Sequence, residues 1–144
     1  MSFSTLLSVG HIPASLDFGA CEIDPLKSYS NVVKVVQAIL EIWSPILIQI
    51  GPPSYHYGKQ VFKDRPAVSW MVYLPLVIKT ENAPEASELI PVFDEEKKQK
   101  GTIVVSVAEA FDVGNPEHVK RANDIEVRLA DQDLLPRLMD FVRM

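Results

Sequence analysis

The chain has 144 residues, 47% hydrophobic and 23% charged, with 14 Lys+Arg against 19 Asp+Glu. A chain of this length buries roughly 68–70% of its unfolded surface, which suits a single domain over residues 1–144 and excludes a disulfide-dependent miniprotein or a wholly disordered tail. The formal net charge of −5 argues against direct nucleic-acid binding and against docking on an anionic membrane, since both need a basic surface.

No stretch approaches the roughly 20 apolar residues of a spanning helix. Cys21 is the single cysteine, so no internal disulfide forms, which favours a reducing compartment. The first 20 residues lack a basic start and carry Pro13 and Asp17 where a signal peptide needs an apolar core. The expected location is cytoplasmic.

In chain order, residues 3–9 predict a short strand, followed by a loop through Pro13 and Gly19. Asp24-Pro25 reads as an N-cap followed by proline at the first helical position. Val32, Val36, Ile39 and Trp43 then recur on one helical face, widened by Val33 and Leu40, until Pro45. Residues 46–50 are short, β-branched and bounded by proline and glycine, which predicts a buried strand. Residues 51–58 form a loop carrying the exposed-looking trio Tyr55, His56 and Tyr57.

Residues 68–74 alternate Val68, Trp70, Val72 and Leu74 with Ser69, Met71 and Tyr73, predicting a strand with one core face and one amphipathic face. Pro75 ends it. Residues 82–88 are polar enough for one helical turn. Residues 89–93 and 102–107 flank a charged stretch, 94–101, as an antiparallel hairpin with a long tip. Asn115 caps a helix with Pro116 at its first position and Glu117 in its first turn. Ala122, Ile125 and Leu129 make its stripe beside Val119, and it fades near 131–133. Pro136 opens a short terminal helix burying Leu138 and Phe141. The sum is an α+β fold: a mostly antiparallel sheet of about four strands packed with two or three helices.

Motifs for catalysis are absent: no dinucleotide turn, phosphate loop, nucleophile elbow or His-Glu-x-x-His pair. His11, His56 and His118 are too far apart in sequence to form a local ligand set. No cofactor, metal site or catalytic residue is expected. His56, between two tyrosines, could serve as an interface anchor, as a general base, or as ordinary loop packing. Asp94, Glu95 and Glu96 could pair with a basic partner, although Lys97, Lys98 and Lys100 beside them also fit a solvated tip. Asp112, Glu117, Asp124 and Glu126 divide between loop and helix, Glu117 and Asp124 sharing a face as a possible acidic stripe. Trp43 and Trp70 sit on apolar stripes and read as core.

Three segments in order, Ser69-Trp70-Met71-Val72-Tyr73-Leu74-Pro75, Gly101-Thr102-Ile103-Val104-Val105-Ser106, and Asn115-Pro116-Glu117-His118 through Leu134-Leu135-Pro136, carry a resemblance. The most characteristic piece is Ala122-Asn123-Asp124-Ile125-Glu126 followed by Arg128-Leu129-Ala130. Across residues 66–136 the chain resembles the immunity protein 52 family of bacterial polymorphic toxin systems. It departs at Ser69, where the family pattern has glycine, and residues 1–23 show no matching motif. The resemblance implies a non-enzymatic inhibitor of a cognate secreted toxin, possibly of nuclease type, acting by stoichiometric occlusion. The expected partner-binding residues are Tyr55, His56, Tyr57, Asp94, Glu95, Glu96 and Asp112. The rival reading is a small-ligand-binding domain or enzyme with His56 or His118 in a pocket.

Overall fold

The computed structural model describes residues 2–9, 12–19, 33–34, 36–38, 40–41, 47–51, 55, 58–59, 61–62, 64–108, 111–112 and 114–137, and the structural statements below concern these. The readings made for Asp24-Pro25, Val32, Ile39, Trp43, Pro45, Leu138 and Phe141 lie outside them, as do His11, Cys21, His56 and Tyr57.

Six strands form one sheet: β1 (Ser2–Val9), β2 (Ile12–Gly19), β3 (Leu47–Gly51), β4 (Met71–Leu74), β5 (Glu88–Phe93) and β6 (Gln99–Val105). Their order across the sheet is β2-β1-β3-β4-β6-β5, and each neighbouring pair is antiparallel. With the helix at Pro116–Asp131, the fold is α+β. The predicted loop through Pro13 and Gly19 is instead β2, which joins the five strands read from the sequence to make six. It pairs with β1 from Ser2↔Gly19 to Val9↔Ile12, so the backbone groups on its inner side are satisfied by the neighbouring strand.

The helical reading of the 30s holds for the residues described: Val33, Val36 and Leu40 are buried while Lys34, Gln37, Ala38 and Glu41 are exposed. That spacing puts one apolar stripe on the core and leaves the polar side in water. Between β4 and β5 a single 3-10 turn forms at Thr80–Asn82, ahead of the 82–88 stretch read as one helical turn. The long helix starts as its sequence dictates, with the Asn115 side chain accepting the N–H of Glu117 at 3.0 Å and Pro116 at the first position. Its stripe, Ala122, Ile125 and Leu129, is fully buried.

The centre of the sheet departs from a one-sided strand. Met71, Val72, Tyr73 and Leu74 are all buried, so both faces of β4 are covered and the alternation of core and amphipathic faces does not apply. The strand also begins three residues later than the pattern suggests, because Ser69 takes φ 50 and breaks the extended backbone. The kink is tied on both sides. Trp70 N–H donates to the Ile50 carbonyl at 3.1 Å, and Ser106 donates to the Trp70 carbonyl through its N–H at 2.8 Å. The Ser106 hydroxyl reaches the Ser69 and Trp70 carbonyls at 2.6 and 2.8 Å. Trp70, at 0% exposure, anchors its indole N–H on the Val107 carbonyl at 2.9 Å, the core role read for it.

Gly101 is required by a close approach. A Cβ there would sit 2.5 Å from Cε2 of Tyr73 and 2.6 Å from the Leu74 carbonyl oxygen. The backbone oxygen cannot move without shifting β4, so Gly101→Ala is expected to destabilise the fold by about 2–3 kcal/mol in denaturant unfolding. Ser69→Gly has the opposite sign. The Ser69 hydroxyl is buried without a partner and its Cβ is strained at positive φ, penalties of roughly 1–2 kcal/mol each. Glycine's own entropy offsets part of this gain. A net stabilisation near ~1 kcal/mol, read as a melting temperature raised by about 3 °C, is expected.

Candidate functional site

The hairpin between β5 and β6 turns more tightly than its charge run implies, since β6 resumes at Gln99 and the tip spans only 94–98. Asp94 is the reason. Its Oδ1 accepts the N–H of Glu96 at 2.8 Å and of Lys98 at 3.0 Å. Its own N–H donates to the Lys98 carbonyl at 2.8 Å, and its carbonyl accepts from Lys97 at 3.0 Å. Lys97 sits at φ 63, which gives a type I turn closed by a left-handed residue. Asp94 thus organises the turn, while Glu95 and Glu96 are exposed and free of that duty. Beside them Phe93 stands 56% exposed, an aromatic outside the expected site set. Pro91 lacks a donor in the outermost strand of this side of the sheet, which blunts that edge against further strand pairing.

Asp112 lies beyond the opposite end of β6 from the tip, so the structure does not gather the expected acids into one patch. It is exposed, and its side chain accepts the Gly114 N–H at 2.8 Å, shaping the turn that enters the helix. Its backbone N–H donates to Nδ1 of His118 at 3.0 Å. His118 is a core histidine at 7% exposure, with its ring 5.7 Å from that of Phe111. The pocket role weighed for it finds a buried ring with one nitrogen already accepting a backbone hydrogen bond.

Tyr55 corrects the expectation of an exposed tyrosine: it is helical and 0% exposed. Its ring meets Phe111 edge-on at 5.5 Å, and its hydroxyl donates to Oε2 of Glu126 on the long helix. Asn123 completes the knot. Its amide donates to the Tyr55 hydroxyl at 2.8 Å, the Lys59 carbonyl at 2.9 Å and Oε2 of Glu126 at 3.4 Å. Glu126 is itself 0% exposed, and its Oε1 has no partner. A phenol can be withdrawn from the surface in this way only because an acceptor awaits it, and that acceptor is 71 residues away in the chain.

Burial pushes the Glu126 carboxyl up to about 7, against the opposing pull of the Tyr55 hydroxyl, the Asn123 amide and the Val61 backbone. Burial, and then the charge and hydrogen bond of Glu126, push the Tyr55 phenol above its ordinary range. Glu126 is the residue that an acid-stripe reading misses. It lies four residues after Ala122 and three before Leu129, on the apolar face, and that placement is visible on a helical wheel. Above the knot, a groove of about 590 Å³ runs between Lys59 and Pro116, Val119, Lys120 and Asn123. Further along, Arg128 grips both oxygens of Glu85 at 2.7 Å, holding that carboxyl below its usual range.

Among the described residues, no group of three or more His, Cys, Asp or Glu is placed to hold a metal ion, and no helix is long and apolar enough to cross a membrane.

The Glu126 shift sets a pH dependence. A carboxyl with a raised folded pKa stays protonated in the folded chain where the unfolded chain has released its proton. Its contribution is therefore fully present below about pH 4.5 and lost as pH rises through about 7. Unfolding measured from pH 4.5 to 8 should show a loss of roughly 2–3 kcal/mol from this group. In Glu126→Gln that component should vanish; a slope unchanged in the variant would assign it elsewhere.

The sequence profile described as Immunity protein 52 matches residues 28–138. No curated protein gives a significant match.

Proposed function

From a chain that belongs to the immunity protein 52 family, which carries the role of binding a cognate toxin, we propose that it neutralises a secreted, nuclease-type toxin in the cytoplasm by stoichiometric occlusion, with no chemistry of its own. The family match over 28–138 is the observation that carries this reading. The charge balance supports the nuclease assignment, because a nuclease presents a basic groove to phosphates and an acidic inhibitor is steered towards it.

The hairpin tip is the contact surface this reading favours. Its turn is held by Asp94, so Glu95, Glu96 and the exposed ring of Phe93 are offered on a pre-ordered support, which lowers the entropy lost on binding. Asp112, His56 and Tyr57 stay in the proposed contact set. Tyr55, stowed against Glu126, is left out of the direct contact.

Mixed with the toxin encoded beside it, the purified protein should form a stable complex at micromolar concentration and abolish the toxin's activity. The absence of a complex would end the reading. Glu95→Lys with Glu96→Lys should slow association about tenfold or more at low salt and flatten its salt dependence, with the melting temperature unchanged. Asp94 is kept out of that variant because its side chain builds the turn. Association that ignores the double reversal would remove the tip from the interface.

A further inference from the structure

A fully buried carboxylate on the core face of a helix is a costly residue, and an apolar side chain of similar volume commonly serves stability as well or better. Glu126 nevertheless sits there, and its hydrogen bond with Tyr55 crosses one seam. On one side is the Pro116–Asp131 helix with Asn123 and Glu126. On the other is the turn carrying Tyr55 and Lys59, closed by the Lys59 N–H donating to the Tyr55 carbonyl at 2.9 Å. The Tyr55 hydroxyl and the Asn123 amide both converge on Oε2, and Asn123 also reaches the Lys59 carbonyl. Oε1 has nothing. Leaving Oε1 without a partner in a buried site costs an ionised carboxylate more than a neutral carboxyl.

We propose that Glu126 is a proton-operated latch: its protonated form holds the turn of Tyr55 and Lys59 against the long helix, and its ionised form opens that seam to water and uncovers Tyr55 and Asn123. The groups facing Glu126 carry no charge, and those that hydrogen-bond to it favour its ionised form, so burial alone holds the proton on this carboxyl. From the turn come the Tyr55 phenol and the backbone of Lys59 and Val61, and from its own helix the neutral Asn123. From the stretch before the helix comes the Phe111 ring, packed against Tyr55 and against His118, the next ionisable group. Burial, with no contribution from a charged side chain among the described residues, favours the neutral carboxyl. A site that binds its proton more tightly closed than open shifts towards the open form as the proton leaves. This device stands independently of which partner the protein binds.

Nuclear magnetic resonance on the full chain tests it, following the Glu126 carboxyl carbon and the exchange protection of the Lys59 amide from pH 5.5 to 8.5. Protection of Lys59 should fall by on the order of a hundredfold, with its midpoint at the Glu126 titration, while the Leu129 amide within the helix stays protected. In Glu126→Gln the Lys59 protection should be independent of pH. Tyr55→Phe keeps the ring against Phe111 but removes a donor that favours the charged carboxylate, so the midpoint should move to higher pH. This variant decides the matter if Glu126→Gln fails to fold. Glu126 titrating near its ordinary 4.5, Lys59 protection that stays flat through the Glu126 titration, or a midpoint unmoved in Tyr55→Phe would each overturn the latch.

Discussion

A carboxylate removed from water dictates much of one end of this molecule. Glu126 has no exposure, so its oxygens can be satisfied only by groups brought to them, and the chain brings the Tyr55 hydroxyl and the Asn123 amide. That requirement holds a turn from the segment after β3 onto the long helix, where Tyr55 meets Phe111 edge-on and Phe111 meets His118 at a tilt. The same requirement is met incompletely, since one oxygen is left alone. A core held by an unfinished polar network is more sensitive to protonation than one held by hydrocarbon, because the network's worth depends on the charge at its centre.

The sheet supplies the rigid reference for that end. β4 and β6 are buried through most of their length, and at Gly101, beneath Tyr73, the approach is close enough to exclude a side chain. The Ser69 kink is the counterpart on β4. It breaks the strand, yet the carbonyls it frees are taken by Ser106, and it lets the Trp70 indole reach the Val107 carbonyl. A glycine was the expected residue where this chain has Ser69, and φ 50 supplies a reason: a left-handed residue is easiest for glycine.

For an immunity protein, a rigid scaffold with one ordered protruding turn suits recognition of a single partner. Asp94 spends its carboxylate inside the hairpin, so neighbouring acids are displayed without their own backbone having to order on contact. The cations beside them, Lys97, Lys98 and Lys100, balance the local charge, which makes the exposed Phe93 ring as much a part of the tip's character as its acids. Two ends of the sheet are thus chemically distinct. One offers an exposed turn, and the other hides a phenol behind a buried carboxyl.

Periodicity and capping carried the fold a long way. The helix from Pro116, its apolar stripe, the hairpin, the β3 strand and the stop at Pro75 follow from local spacing, because helices and hairpins are decided by neighbours within a few residues. The acidic balance and the motifs from Ser69 to Pro136 pointed to the family without any coordinates. Strand β2 was not legible, since its pairing with β1 and not its own alternation makes it a strand. Nor was the burial of Tyr55: a tyrosine in a proline- and glycine-rich loop looks exposed until its distant acceptor is known. What tertiary structure alone decided is which polar groups meet across the core, for a hydrogen bond spanning 71 residues leaves no trace in the sequence around either partner.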